Sequence, residues 1–408
     1  MLMLKRFGKL LLVLISLSLI LTGCWGKREL NDIGIVTITG IDTGPDSKIR
    51  VTVISVEPSG TSNALQKPPV NAWIGTAEGT SLVDAMKNLR AYSSRDLMWF
   101  QNRVVVIGED MAKKGVASIL DTLSRDREVR FNSYFFVTKG KASDLLQTPA
   151  DTEENLSGHL DGLIKNSKKW DKACLTDLKD IMMSLAGEGK AMVMGCLSNI
   201  QVSRNIISTN AREYLSAGSG EKKINTILFE GSSIFKGDKL LCWLDGKETR
   251  GLNWIKSKAN NALVTAEGQG DIKGSISFEA RKAETKISPE IKNGKLTIRI
   301  ESKVKGSLRE QTEDNNIQNS EVLYKMENLF SNVIADEMKA VVEKMQRESS
   351  SDIFGFGDAV YRKYPKDWSE LKNKWNDIFY GLKVIYDVKV EIKRFGEIPG
   401  TMTSEETE

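Results

Sequence analysis

The chain has 408 residues, of which 58 are basic and 54 acidic, for a formal net charge of +4. Three of those positives, Lys5, Arg6 and Lys9, lie in an amino-terminal segment that reads as an export signal. The remainder therefore stands at 55 basic against 54 acidic residues, which argues against nucleic-acid binding and against broad electrostatic attachment to membranes.

Behind the basic start, Leu10 to Leu21 run twelve residues without a charge. That is well short of the roughly 20 needed to span a bilayer, and it predicts a secretory signal over residues 1–23. Leu21-Thr22-Gly23-Cys24 closes the segment and resembles the lipobox of bacterial lipoproteins. The resemblance implies a diacylglyceryl group on the Cys24 thiol and cleavage that makes Cys24 the first residue. Two acyl chains, at about 0.8 kcal/mol per buried CH₂, would make a durable anchor. The alternative is an ordinary cleaved signal with a chance cysteine.

Once the signal is removed, about 385 residues of ordinary globular composition remain, enough for two or three domains rather than one core. Residues 33–41 and 49–56 are β-branched and partly alternating, and Asp42-Thr43-Gly44-Pro45-Asp46 between them is turn chemistry; together they predict a hairpin. A loop with Pro58, Gly60, Pro68 and Pro69 follows. Leu82, Ala85, Met86 and Leu89 then fall at helical spacing, and Arg103 to Ile107 reads as a buried strand ending in Gly108. A helix over 111–125, a strand over Tyr134–Val137 and a helix starting at Ala142–Leu146 complete an N-terminal α+β domain, 24–150.

Residues 151–222 are polar and read as mainly helical or irregular, broken by Gly187, Gly189 and Gly195. From 224 the pattern turns to short antiparallel strands, Ile224–Phe229, Ser233–Lys236 and Leu240–Leu244, giving a middle domain, 151–268. Strands at 275–280 and 295–304 open a C-terminal α+β domain, 269–396. After a polar linker, Ser320 is the expected cap of a long amphipathic helix. Its apolar stripe runs through Val322, Met326, Leu329, Phe330, Val333, Ile334, Met338, Val341, Val342 and Met345, a docking face for the chain's own sheet or for a partner. Val384 to Ile392 alternates as a closing strand, and 397–408 is an acidic, loose tail. The fold class expected is multi-domain α+β with mixed or antiparallel sheets and packed helices. A division into 24–205 and 223–395 is the alternative to three domains.

No enzyme constellation stands out. Gly268 to Gly274 is a poor dinucleotide fingerprint, because its third glycine is one place late and no helix pattern follows. His159, the single histidine, lies 15 residues from the nearest cysteine and has no nucleophile elbow nearby, so a solvated surface histidine is expected. Cys174, Cys196 and Cys242 show no C-x-x-C spacing and read as small buried thiols, with no metal or cofactor implied. Asp352-Ile-Phe354-Gly355-Phe356-Gly357, followed by Trp368 and Trp375, does stand out. Glycine between two aromatics suits a tight reversal in which both rings plug the core. An aspartate ahead of them can accept backbone N–H groups as a cap or Asx turn. Structural stitching is the first reading of this motif and partner binding the second.

At this motif the chain resembles the C-subunit lipoproteins of bacterial spore germinant receptors, the Ger(x)C or GerAC-like family. The resemblance covers nearly the whole length. Its residues are Gly23-Cys24-Trp25 with Arg28-Glu29-Leu30-Asn31; Gly40-Ile41-Asp42; and Arg103 to Glu109 with Ala112 and Gly115. Gly231, Phe235-Lys236, Asp238-Lys239-Leu240 and Glu248-Thr249-Arg250-Gly251 follow, and the Asp352–Gly357 motif with its two tryptophans is the most specific. Gln101 and Cys242 depart from the family's usual residues. The resemblance implies a non-enzymatic, multi-domain α+β subunit, lipid-anchored on the outer face of the spore inner membrane. It would assemble with a permease-like B subunit and a membrane A subunit that together respond to nutrients. The rival is a substrate-binding lipoprotein that captures a small nutrient for a permease, which would require a cleft with convergent polar groups.

Overall fold

The computed structural model describes residues 7–8, 32–56, 72–149, 155–187, 191–204, 222–313 and 315–394. Cys24, the expected tail and all of the expected signal but Phe7 and Gly8 lie outside them. The chain is a mixed α+β protein built on two sheets.

The first sheet holds β1 (Ile33–Thr43), β2 (Ile49–Val56), β3 (Ala72–Gly79), β4 (Asp96–Met98), β5 (Val104–Gly108), β6 (Tyr134–Thr138), β7 (Val193–Arg204), β8 (Lys222–Lys236) and β9 (Lys239–Leu244). Their order is β3-β2-β1-β5-β6-β7-β8-β9, with β4 beside β1. The expected β1–β2 hairpin pairs antiparallel. The helix–strand alternation then makes β1, β5, β6 and β7 a parallel block.

That block explains why Val104 to Ile107 runs apolar without alternation, since both of its faces are covered. On one side Val105, Ile107, Phe135 and Val137 pack against α1 (Leu82–Asn88), α2 (Glu109–Lys114), α3 (Ala117–Arg125) and α6 (Leu178–Ala186). On the other, Ile38, Val104, Val106 and Phe136 pack against α4 (Ala142–Leu146) and α5 (Leu156–Asn166).

β7 corrects the expectation of helical or irregular structure through 151–222. Gly195 is not a breaker there: a Cβ at that position would lie 2.3 Å from the Cys174 carbonyl oxygen and 2.9 Å from the Phe136 ring. The glycine admits a close crossing of backbone and ring inside a strand.

The second sheet is β10 (Leu263–Glu267), β11 (Ser275–Lys292), β12 (Lys295–Gln311) and β13 (Lys383–Arg394), in that order. β11 and β12 are much longer than expected. They meet at Asn293-Gly294, whose φ values of 50° and 73° suit a two-residue hairpin turn. Helix α7 (Gly246–Ile255), absent from the expected run of strands, connects the two sheets.

The long helix α8 (Ser320–Glu348) lays its stripe on the second sheet. Met326, Phe330, Ile334, Met338, Val341 and Met345 share one buried cluster with Phe278, Ile298, Ile300 and Val304. Its cap is Asn319, one residue earlier than expected, whose side chain accepts from the Glu321 N–H at 2.9 Å. α8 also serves the edge strand: Ser331 and Glu327 side chains accept from the Val390 and Ile392 N–H groups at 3.1 and 2.9 Å. Those contacts occupy donors that an open edge would offer to another strand. Short helices α9 (Phe356–Lys363), α10 (Pro365–Leu371) and α11 (Trp375–Tyr380) close the unit. The same cluster takes in Cys174, Val193, Ile234 and Leu244 of the first unit, so one core crosses the junction.

Candidate functional site

Of the residues singled out in the sequence, Asp352 to Gly357, Trp368 and Trp375 converge where the two sheets meet, and Cys24 lies outside the described residues. Directly after α8, the Asp352 carboxylate is 3% exposed and turns the chain around itself. Its Oδ1 accepts from the N–H groups of Phe354 and Gly355 at 3.0 and 2.9 Å. Its Oδ2 accepts from Gly357 N–H at 2.7 Å and from the Trp375 indole at 3.3 Å. Gly355 sits at φ +83°, a left-handed position that glycine takes without strain, and α9 starts on the next residue.

The reversal stacks Phe354 on Phe356 at 5.1 Å, with Phe379 6.2–6.3 Å from both, and sets Trp368 edge-on to Trp375 at 5.0 Å. Burial pushes the Asp352 carboxyl up to about 6, although the N–H groups of residues 354–357 hold it down. The Asp352 carbonyl accepts from Ala191 N–H at 2.7 Å, a main-chain tie to the residues just ahead of β7.

A second knot lies on α7, around Glu248 to Gly251, residues that carry the family resemblance. Asp245 and Glu248 form a reciprocal cap on α7, and the Glu248 carboxylate also binds the Lys344 ammonium at 2.8 Å. Arg250 donates its Nε to Glu337 Oε2 at 2.9 Å, pairs a second time with the other Glu337 oxygen, and lies 3.5 Å from the Asp171 carboxylate. The Trp254 indole donates to Glu337 at 3.0 Å, and the Asn253 amide donates to the carbonyls of Asp171 and Ala173 at 2.8 and 3.0 Å.

The Arg250, Asp171 and Glu337 side chains are 11%, 6% and 2% exposed. Burial pushes the Asp171 carboxyl up, against the pull of Arg250. Gly251 has no room for a side chain, since a Cβ would lie 2.4 Å from the Glu337 carbonyl oxygen. The signal that could have revealed α7 is the Asp245-x-x-Glu248 spacing of a capping box.

The other signature residues have local work. Asp42 accepts from Ala142 and Ser143 N–H at 2.7 and 2.9 Å and so caps α4. Gly108 makes room for that carboxylate, because a Cβ there would come within 2.0 Å of Asp42 Oδ1. Gly108→Ala is therefore expected to cost about 2–3 kcal/mol, from the displaced carboxylate and overpacking. Urea denaturation would check it, and an unchanged midpoint would contradict the packing argument. Gly115, at φ +127°, faces Asp238, whose carbonyl accepts from Val116 N–H at 2.9 Å.

Between the two units opens a cleft of about 570 Å³. Thr176, Asp180 and Val193 line it from the first unit, and Lys258, Lys286, Asp358 and Arg362 from the second. It carries both signs of charge and suits a small polar ligand. His159 differs from its expected solvated state: it is half-buried on α5, and its Nε2 is shielded with no hydrogen-bond partner among the described residues. Cys174 and Cys196 are buried and Cys242 half-buried, all unpaired. Burial pushes the Cys196 and Cys242 thiols up, away from reactive thiolate. Among the described residues no group of three or more His, Cys, Asp or Glu side chains is placed to hold a metal ion.

Fold and site together define a two-sheet α+β body whose buried polar side chains bind its own segments to one another. The family described as spore germination protein N-terminal domain matches residues 26–200, and spore germination B3/GerAC like, C-terminal, matches residues 230–396. The chain belongs to this GerAC-like family, the C subunits of germinant receptors in spore germination. Spore germination protein KC of Bacillus subtilis (strain 168) is 28% identical over 95% of this chain and 96% of its own length. Spore germination protein B3 of the same organism is 26% identical over 95% and 97%. The crystal structure of the GerBC protein shares the fold, with a TM-score of 0.54 and 22% identity over 87% of this chain and 96% of that one.

Proposed function

We propose that the chain is a non-catalytic, lipid-anchored subunit of a germinant receptor, needed for assembly and signalling beside membrane A and B subunits. The observation that carries this reading is the internal use of the buried charges. Asp352, Arg250 and Glu337 spend their hydrogen bonds on the chain's own backbone and side chains, which suits a rigid body that presents surfaces. Acylated Cys24 confines that body to the outer face of the spore inner membrane and raises its concentration near membrane partners.

Among the described residues no helix is long and apolar enough to cross a membrane, so retention in this reading falls to the anchor. Cys24→Ala is expected to move the protein from the membrane to the soluble fraction of spores and to impair germination through this receptor. Normal fractionation of the variant would count against the proposal. Crosslinking in spore membranes followed by identification of the partners tests the assembly.

The junction cleft supports a second reading, capture of a small nutrient for a permease-type partner. Calorimetry of the mature chain against amino acids and sugars separates the two, since binding heat that disappears with Arg362→Ala favours capture.

A further inference from the structure

We infer that the end of the first sheet where β1 begins is a bilayer-facing surface that seats aromatic and arginine side chains in the headgroup region of an anionic membrane. The inference rests on the Cys24 anchor proposed above and adds an orientation to it.

Topology fixes which loops share that end. β5 runs parallel to β1, and β6 parallel to β5, so the starts of all three strands point the same way. β4 pairs in parallel with Ile33–Ile35, the first residues of β1. The turn ahead of β4 and the turn ahead of β6 therefore project from the end at which the chain enters the fold. Arg95, in the first of these turns, lies against Gly34.

Both turns present a ring to solvent: Tyr92 is 71% exposed and Phe131 is 55% exposed. Cations flank each ring. Arg90 lies beside Tyr92, with its side chain 61% exposed. Arg127 and Arg130 precede Phe131; both are exposed, and neither has an ion pair among the described residues. The carboxylates of these turns are engaged locally. Glu128 accepts from Trp99 N–H at 3.1 Å, Asp126 accepts from Glu128 N–H at 2.8 Å, and Asp96 pairs with Arg90 at 3.2 Å. Those carboxylates keep their charge but are half-buried, whereas Phe131 and the Arg127 and Arg130 side chains stand exposed to solvent.

Exposed aromatics occur elsewhere on the protein, Tyr324 and Tyr380 among them at 63%, so exposure alone decides nothing. The tether decides it. Cys24 and Ile33 are nine residues apart, a stretch that spans at most about 30 Å. An acylated Cys24 thus keeps this end of the sheet within about 30 Å of the membrane, nearer than its tether allows for the far end. A tyrosine ring suits the headgroup level, and each arginine near an anionic surface adds about 1 kcal/mol of attraction. A chain of nearly neutral overall charge can still be drawn in by a local patch, because the attraction fades within a Debye length.

The test uses the acylated mature chain in vesicles of phosphatidylcholine with one-third phosphatidylglycerol. A spin label is placed at Tyr92→Cys, Phe131→Cys or the control Tyr324→Cys, each in a Cys242→Ser background. Labels at 92 and 131 are expected to gain access to membrane-dissolved oxygen and lose access to an aqueous nickel chelate several-fold, while 324 stays in water. Arg127→Glu with Arg130→Glu, or vesicles of phosphatidylcholine alone, should return the 131 label to water.

Labels at 92 and 131 as water-exposed as 324 on a chain that floats with the vesicles would overturn the surface and leave the anchor intact. Equal protection on neutral vesicles and in the charge-reversed variant would overturn the anionic requirement. A chain that does not float at all overturns the anchor reading, and this surface with it.

Discussion

Arg250→Ala is expected to destabilise the folded chain by about 3–5 kcal/mol, the usual cost of breaking a buried ion pair from one side. Arg250 stands between two buried carboxylates, Glu337 on α8 and Asp171 in the first unit, so its loss leaves two negative charges facing each other out of water. Neither can recover its hydration by swinging outward, since Gly251 packs on the Glu337 backbone and Asn253 clamps the Asp171 and Ala173 carbonyls. The Asp171 carboxyl already titrates above its ordinary range because of burial, and removing the cation pushes it further up.

The variant should therefore gain stability as the pH falls toward the point where Asp171 protonates, relative to the parent chain. Guanidinium denaturation near neutral pH measures the loss. Arg250→Met with Glu337→Met and Asp171→Asn, which leaves no bare charge, should recover most of it. A loss below about 1 kcal/mol for Arg250→Ala would mean that water reaches the triad and that the knot is peripheral to the fold.

Much of the fold was legible because those elements encode their faces locally. The β1–β2 hairpin announced itself through two β-branched runs around Gly44-Pro45. The α8 stripe did so through apolar residues at helical spacing, and β13 through the alternation of Val384, Tyr386, Val388, Val390 and Ile392. What escaped was decided by contacts distant in sequence. β7 begins with apolar residues around Gly195, a glycine that looks like a breaker until Cys174 and Phe136 are seen pressed against it. β11 runs through Arg281-Lys282-Ala283-Glu284-Thr285-Lys286, where charge on the open face hides a strand whose other face buries Ala283 and bonds Thr285 to the Trp254 carbonyl of α7.

The candidate site divides the same way. Asp352 to Gly357 could be read as a tight reversal because cap, glycine and rings all lie within one turn. Its tie to Ala191, and the Arg250–Glu337 pair separated by 87 residues, leave no local trace. For those, the signature residues Glu248 to Gly251 were visible, but their partners were not.

Asp352→Ala carries the second large effect, about 3–5 kcal/mol. The substitution strands the N–H groups of Phe354, Gly355 and Gly357 and the Trp375 indole inside the core, at about 1–3 kcal/mol for each buried donor left unpaired. Partial relaxation keeps the total below the sum. Loosening that turn also frees the Phe354–Phe356 stack and the Ala191 tie, so damage should spread across the junction. Hydrogen exchange should show faster opening at Ala191 and Trp375 before the distant β1–β2 hairpin is affected. Asp352→Asn keeps one acceptor for Phe354 and Gly355 but turns an NH₂ toward two donors, so it should lose roughly half as much.

The pH dependence has a definite sign. Asp352 titrates at about 6 in the folded chain, above the ordinary carboxylate value of 3.8, so the folded state holds the proton more tightly than the unfolded one. Its contribution to stability is therefore full below pH 3.8 and is lost as pH rises through about 6. The stability difference between the parent chain and Asp352→Asn should shift in favour of the parent between pH 7.5 and 4.5, both taken as roughly bracketing that window. A shift in the opposite direction would mean that the backbone donors outweigh burial and hold the carboxylate ionised. The Asp352 turn would then act as a fixed negative charge at the head of α9 throughout the physiological range.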